Sequence, residues 1–450
     1  MPSGQTQLVR SDGIYHGLPT FPGSAEYRGL TALVTGANGI SGYSMVKVLA
    51  AAPERWSKIY CASRRPPPDY FFTELGEGAK RVEHIEADFL SEPARLAETL
   101  KRIPSLDYVF FFSYMQPKQK GDVLGMWSNA DELAKVNSME SFLRRGKAAI
   151  ANRLFYCCSG TSVKLTRRFE AGEPDTETST PAGPATSPSF ESDPRVMLES
   201  NFYYGQEDCI LKYCNDTGAQ WNVVRPSYII GAVRDNLLNH LVGLSAYCAV
   251  QSYLGEPIAF PGDYIAWDRE YCQSTGVLNA YLEEWAVLNP NAGNEAFNAQ
   301  DGLPFTWGRL WPLLGTWYGA EWTPPEIDAS KYNTFTSRWE ETPRGYGPRG
   351  VTRSTFSLLE WSQSAKVEKA WKELSSKHEL LFDPFKDKAQ VFGMTDSAII
   401  GGWALSLSMR KARKMGWHGC VDSYESMFQT IRDLARLKVT PPMQATAFEE

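Results

Sequence analysis

The sequence has little that would tie it to a metal, a membrane or a nucleic acid. Its eight cysteines, Cys61, Cys157, Cys158, Cys209, Cys214, Cys248, Cys272 and Cys420, include no CxxC pair, and the one adjacent pair falls in an apolar run. That spacing argues against both a metal site and a secreted disulfide framework, and leaves buried free thiols in a reducing compartment as the expectation. No stretch of about 18 apolar residues occurs, so no transmembrane helix is expected. The opening segment, MPSGQTQLVRSDG, lacks the apolar core of a secretory signal, and a soluble cytoplasmic protein is expected. Positive charge is in short supply as well. A formal net charge of −6 argues against a nucleic-acid surface, and the one basic cluster, Arg410 to Lys414, reads as a solvated helix face.

What is present is the composition of a large globular core, with 43% hydrophobic residues in 450. Residues 1–28 are polar and rich in glycine and proline, and are expected to form an arm. Short apolar runs then recur at Leu30–Thr35, Lys58–Ala62, Val82–Ala87, Tyr108–Phe112, Leu154–Cys158 and Trp221–Arg225, with helix-compatible stretches between most of them. Ser91 and Pro93 open one such helix. Runs of this kind at this spacing predict an α/β fold, a Rossmann-type doubly wound parallel sheet with helices on both faces. Residues 29–240 are expected to form that unit. Within it, 170–194 is polar, acidic and proline-rich, and reads as a surface-loop insertion. Residues 241–450 are expected to form a smaller, mainly helical substrate lobe interleaved with the sheet. Trp267, Trp285, Trp307, Trp311, Trp317 and Trp322 would give it walls for an apolar ligand, although most are expected to be ordinary core.

Between the first strand and its helix stands Gly36-Ala37-Asn38-Gly39-Ile40-Ser41-Gly42, spaced GxxGxxG. In that context glycine lets backbone approach a pyrophosphate, and the helix N-terminus offers N–H groups and partial positive charge. The second strand ends at Arg64-Arg65 with no carboxylate. An acidic residue there suits ribose hydroxyls, whereas arginine suits a 2′-phosphate, so the pair points to NADPH. Asp88, ending the third strand, is placed to meet the adenine edge.

One expected feature is missing. Ordinary short-chain dehydrogenases carry a tyrosine and a lysine four residues apart on a helix after the fifth strand. Tyr43…Lys47 and Tyr114…Lys118 have the spacing but precede that strand, and both read as coincidences. After the fifth strand come Lys164 and then Asn201-Phe202-Tyr203-Tyr204-Gly205-Gln206-Glu207-Asp208, where Asp208 stands four residues past Tyr204.

Here the chain resembles the progesterone 5β-reductase and iridoid synthase (PRISE) family of extended short-chain dehydrogenases. Residues 201–208 match its NFYYxxED segment, and Thr161-Ser162-Val163-Lys164 matches its TGxK context with serine for glycine. Ala62-Ser63-Arg64-Arg65-Pro66, Arg225-Pro226-Ser227, Ala266-Trp267-Asp268 and Asn294-Glu295-Ala296-Phe297-Asn298 follow in matching order, from about residue 30 to 440. The resemblance implies NADPH-dependent reduction of the C=C bond of an α,β-unsaturated carbonyl, with Tyr204 and Lys164 stabilising the enolate. A donor aimed at such developing charge is worth about 3–4 kcal/mol of barrier. It further implies that Gly36, Asn38, Gly39, Ile40 and Gly42 line the pyrophosphate, and that Ser63, Arg64 and Arg65 take the 2′-phosphate end. Asp88, Phe89, Ser113, Tyr114, Lys164, Tyr204, Pro226, Tyr228 and Ile229 complete the expected cofactor contacts. Tyr114, Tyr203 and Phe392 are the expected substrate contacts. Ser113-Tyr114 replaces a Thr-Trp pair of the plant enzymes, and the loop ahead of Tyr204 is longer, so the substrate is left open beyond a small apolar carbonyl compound. Ketone reduction, a non-redox isomerase or cyclase, and a cofactor-bound scaffold stay open as alternatives, as does a homodimer.

Overall fold

The computed structural model describes residues 8–89, 91, 93–113, 153–157, 187–195, 202–235, 238–336, 351–401 and 405–449. Residues 9–19, read from sequence as part of an arm, form a hairpin of β1 (Val9–Asp12) and β2 (Tyr15–Pro19) that docks on the body of the protein. Its polar residues look outward, but Leu18 is fully buried and the Tyr281 hydroxyl donates to Asp12 at 2.6 Å. His16 also bridges to Cys420 by paired backbone hydrogen bonds.

The sheet begins at β3 (Leu30–Thr35), followed by α1 (Ile40–Ala50), β4 (Trp56–Ser63), β5 (Val82–Glu86) and α2 (Pro93–Leu100). Next come β6 (Tyr108–Phe111), β7 (Arg153–Cys157), α3 (Phe202–Thr217) and β8 (Gln220–Pro226). After the small strand β9 (Tyr228–Ile230) the chain enters helix α4 (His240–Leu254). It then returns through β10 (Gln273–Thr275) and α5 (Gly276–Leu288) to β11 (Glu295–Ala299). The seven strands run in the order β11-β8-β7-β6-β3-β4-β5, every pair parallel, with β10 and β9 forming a separate parallel pair.

Alternation along each strand fills both faces. Ala32, Val34, Ile59, Cys61, Phe110, Val224 and Phe297 pack with α1 and α5 on one side. Leu33, Tyr60, Ala62, Ile85, Val109, Phe111 and Val223 pack with α2 and α3 on the other. Both faces being covered explains why the strands read as unbroken apolar runs. The chain goes from β3 to β4 on one side and later crosses back to β6 on the other, so the order reverses beside β3. In open α/β sheets, ligands enter the crevice beyond the strand carboxyl ends at such a point.

Further helices build a second core around α4: α6 (Trp307–Tyr318), α7 (Ala365–His378), α8 (Lys388–Ile399) and α10 (Ser423–Arg436) border it, while α9 (Arg410–Lys414) lies against β11 and puts Ala412 into the sheet-side core. Trp307, Trp311, Trp317 and Trp371 fill this core, whereas Trp285 belongs to α5 and packs on the sheet. The Asn239 side chain caps α4 at the Leu241 amide, and Gly255, left-handed at φ 67°, ends it. In the basic cluster of α9 only Ala412 is buried. No helix among the described residues is long and apolar enough to cross a membrane. The described cysteines Cys61, Cys209, Cys214, Cys248, Cys272 and Cys420 are all free thiols.

Candidate active site

The turn after β3 is shaped by what surrounds it. Gly36 adopts φ +61°, and a Cβ there would lie 2.6 Å from the Phe112 carbonyl oxygen, so only glycine lets the end of β6 come this close. Thr35 fastens the two strand ends together, its hydroxyl accepting from the amides of Phe112 at 3.0 Å and Ser113 at 3.2 Å. A side chain on Gly42 would collide with the Gly36 carbonyl, which brings the first turn of α1 down on the loop. Gly39 differs. It caps α1 and is exposed, and a Cβ there would meet nothing nearer than 3.4 Å. No protein neighbour requires its smallness.

The arginine turn after β4 is bound to this loop. The Asn38 side-chain amide donates to the carbonyls of Arg65 at 3.0 Å and Pro66 at 3.4 Å, and the Ser63 hydroxyl donates to the Arg65 carbonyl at 2.7 Å. The Asn38 Oδ1 is buried without a hydrogen-bond partner. Ser63 also meets His84 Nε2 at 2.9 Å, and burial lowers the His84 pKa. Arg64 and Arg65 are exposed at the surface. Arg65 lies 3.7 Å from Asp235 with both side chains more than three-quarters exposed, a pairing weak enough for a ligand to replace. Asp88 is exposed at the end of β5, its carbonyl accepting from the Ser91 hydroxyl at 2.6 Å, and Phe89 packs edge-on to Phe111.

Tyr203 and Tyr204 lie in the first turn of α3, buried in the core layer that holds Phe111 and Val223. The two acids that follow them anchor the helix. Glu207 is fully buried and accepts from the Arg225 guanidinium of β8 at 3.1 Å. Burial pushes its carboxyl pKa up, against the pull of Arg225 and Arg195. Arg225 also donates to the Glu191 carbonyl at 3.4 Å, and the Glu191 carboxylate accepts from the Asn298 amide of β11 at 2.9 Å. Asp208 takes Arg195 in a two-pronged ion pair at 2.6 and 3.1 Å. The acids of NFYYxxED are therefore clamps that hold α3 to β8 and to the 187–195 segment.

Beyond Pro226, the Ser227 hydroxyl donates to the Cys272 carbonyl at 2.7 Å and joins β9 to β10. The Tyr228 hydroxyl reaches Ser397 of α8 at 3.4 Å, while Ile229 packs with the sheet-side core. Ile40, at the head of α1, is buried against the same region, where Gly231 and Gly276 leave room for its Cγ2. Phe392 sits elsewhere. It is 0% exposed and packs edge-on to Trp361 and Phe385 inside the helical core. The reason is helical geometry: Ser397, five residues on, occupies a different face of α8, and that face meets Tyr228.

Lys164, Tyr114 and most of the 170–194 loop lie outside the described residues. Among the described residues no group of three His, Cys, Asp or Glu could hold a metal ion. Sequence reasoning singled out neither Arg195 nor the Glu207–Arg225 pair. The pair was discoverable, because its members fall in two of the matched segments. Nothing in the sequence marks Arg195.

The sequence model of the family described as PRISE-like Rossmann-fold domain matches residues 177–338, a span that holds Tyr204, Glu207, Arg225 and β11. Over those residues the chain is similar to a PRISE-like Rossmann-fold domain. Around that domain it is 26% identical over 416 residues to a short-chain dehydrogenase of Penicillium aethiopicum, covering 91% of this chain and 99% of the relative. It is also 26% identical over 418 residues to the 3-oxo-Δ4,5-steroid 5β-reductase of Arabidopsis thaliana, covering 91% and 93%. An (S)-8-oxocitronellyl enol synthase of Camptotheca acuminata is 26% identical over 421 residues, covering 91% and 93%. Among solved structures, the dTDP-glucose 4,6-dehydratase of Streptomyces venezuelae, crystallised with NAD, superposes with a TM-score of 0.53 at 13% identity, covering 90% of this chain and 97% of that one. An epimerase of Methanothermobacter thermautotrophicus gives 0.52 at 15% identity, covering 91% and 93%. These structures share the Rossmann-type α/β fold with this chain.

Proposed function

We propose that this protein is an NADPH-dependent reductase of an α,β-unsaturated carbonyl compound, acting by conjugate addition at the β-carbon. The observation that carries the reading is the joint between the glycine turn and the arginine pair. Asn38 and Ser63 converge on the Arg65 carbonyl and hold two exposed arginines beside a loop kept clear at Gly39. The clear space over Gly39 and the buried, unpartnered Asn38 Oδ1 both fit a bound dinucleotide. Gly36, Gly39 and Gly42 would accommodate its pyrophosphate, Arg64 and Arg65 its 2′-phosphate, and Pro226 would border the nicotinamide.

When bound, NADPH would supply the hydride. The chain's own part is electrostatic. The Tyr204 phenol would donate a hydrogen bond to the substrate's carbonyl oxygen, where negative charge accumulates as the β-carbon is reduced, and Lys164 would add positive charge near the same oxygen. Burial of Tyr204 in a packed core layer fixes its ring in advance. The relatives named steroid 5β-reductase and enol synthase support conjugate reduction over the alternatives. The deciding experiment follows cofactor oxidation and products with a panel of enones, enals and saturated ketones, using deuterated NADPH. Deuterium at the β-carbon is expected. Deuterium only at the carbonyl carbon would make the protein a ketone reductase, and products without NADPH consumption would make it an isomerase or cyclase.

A further inference from the structure

The tyrosine of an ordinary short-chain dehydrogenase has a lysine four residues later, one helical turn along the same face. This chain has an acid at that position. Asp208 does not leave Tyr204 without a cation, because it brings one in from another segment. Arg195 grips the Asp208 carboxylate at 2.6 and 3.1 Å, and its guanidinium carbon lies 4.8 Å from the centre of the Tyr204 ring. The same guanidinium donates to the Tyr204 carbonyl at 3.4 Å and stands 3.6 Å from Glu207. Its side chain is 22% exposed, so water screens it only in part. Positions 204 and 208 share one face of α3, and an arginine held by the second is thereby presented to the first.

We propose that Arg195, held by Asp208, is a positioning residue that fixes the Tyr204 ring and sets a permanent positive charge against its face. The inference rests on the reading of Tyr204 as the oxygen donor. As the phenol shares its proton with the substrate oxygen, its ring gains electron density, and attraction to a cation over the ring face grows with it. That attraction is stronger in the transition state than before it, which is the condition for raising turnover rather than binding. The neighbouring charges are accounted for. On α3, Glu207 pairs with Arg225 of β8 and Asp208 with Arg195, while Glu191 of the 187–195 segment accepts from the Asn298 amide. Arg195 is the cation over the Tyr204 ring among the described residues.

The test compares Tyr204→Phe, Arg195→Gln, Arg195→Lys, Asp208→Asn and the double variant Tyr204→Phe with Arg195→Gln. Each is assayed with NADPH and an enone that the unmodified protein reduces. Arg195→Gln is expected to lower kcat about tenfold. The KM for NADPH should stay within about twofold, and Arg195→Lys should recover part of the loss. Asp208→Asn should act in the same direction, because it releases the arginine while leaving it in the chain. In the Tyr204→Phe background, Arg195→Gln should cost far less than it does alone, since the two act through one phenol. A readout independent of turnover is the aromatic spectrum of cofactor-free, tyrosine-labelled protein. The resonance that vanishes in Tyr204→Phe should move in Arg195→Gln and in Asp208→Asn. Multiplicative losses in the double variant would overturn the proposal, as would unchanged kcat in both Arg195→Gln and Asp208→Asn. Should Arg195→Gln fail to fold, Asp208→Asn with its thermal melt carries the same decision. Full activity in Tyr204→Phe would instead overturn the reading of Tyr204, so the two failures are distinct.

Discussion

The Asn38 side chain donates to the Arg65 carbonyl oxygen at 3.0 Å, across 27 residues of sequence, and so makes the turn after β3 and the turn after β4 one unit. The two arginines owe their position to that bond and to the second one from Ser63. Replacing Arg64 and Arg65 together by alanine should therefore reduce the preference for NADPH over NADH by at least about tenfold. Asn38→Ala, which leaves both arginines in place, should reduce it by about two- to fivefold. Fluorescence titration with the two cofactors measures both ratios. An unchanged ratio in the double arginine variant would remove the 2′-phosphate from this turn.

The glycines of the loop differ in what surrounds them. Gly36→Ala puts a methyl group against the Phe112 carbonyl on a backbone at φ +61°. It should destabilise the fold by roughly 2 kcal/mol or more. Gly39→Ala meets nothing closer than 3.4 Å and should leave the melting temperature almost unchanged. Under the proposed function its cost should appear in cofactor affinity, which should fall about tenfold because the methyl group would enter the space the pyrophosphate would occupy. Equal melting temperatures for the two variants would contradict this division.

Turnover is the reading for Tyr204. Tyr204→Phe keeps the ring in its core layer and removes the hydroxyl, so kcat should drop about 100- to 1000-fold with little change in NADPH affinity. Rapid-mixing measurements of NADPH oxidation should place the loss in the hydride step rather than in binding. A Tyr204→Phe protein with normal turnover would leave hydride positioning as the main catalytic effect.

The clamp beneath Tyr204 makes a stability prediction. Arg225→Met would leave the fully buried Glu207 without its closest partner. Breaking one side of a buried pair costs about 3–5 kcal/mol. Denaturant unfolding should show most of that loss in Arg225→Met and much less when Glu207→Leu is added, because the pair then leaves together.

Asp301 gives a pH dependence. It is fully buried, accepts from the Thr275 amide at 2.6 Å and from Ser423 and Ser426 of α10, and burial pushes its pKa up to about 7. A carboxyl group whose pKa is raised on folding binds more protons in the folded state between its unfolded and folded values. Its contribution is thus fully present below about pH 4, near the ordinary Asp value, and is lost as pH rises through about 7. Asp301→Asn keeps an acceptor for Thr275 and cannot ionise. The difference in stability between Asp301→Asn and the unmodified protein should move in favour of asparagine across that window, by an amount on the order of a few kcal/mol. A flat difference between pH 4 and 8 would show that Asp301 is held in its usual range.

The sheet was legible because strands such as β3, β4, β6 and β8 are mostly buried and so appear as compact apolar runs. The seventh, Glu295–Ala299, was noticed only as part of a family match. It is five residues long, carries Glu295 and Asn298, and arrives after the chain has already built α4 elsewhere. The hairpin at Val9–Pro19 escaped because its anchoring rests on Leu18 and Tyr15, too few residues to show a period. In the site, the glycines and arginines were readable from their places at strand ends. Arg195 was not, since its role depends on a fold that brings a loop residue onto a helix face. Phe392 is a different case. Aromatics in this lobe mostly pack on one another, and sequence alone does not say which one turns toward a ligand.

The late arrival of β11 has a consequence for how the protein can be made and taken apart. During synthesis the first six strands emerge long before the seventh, and β8 waits with an unpaired edge while more than 60 residues of helical lobe and connecting chain are added. An open edge of that kind is a template for the wrong partner. A fragment ending near residue 240 would keep the glycine turn and Tyr204 but lose both β11 and the Asn298 amide that holds Glu191. The two lobes are therefore expected to unfold as a single cooperative unit, and the nucleotide-binding half should aggregate when expressed alone.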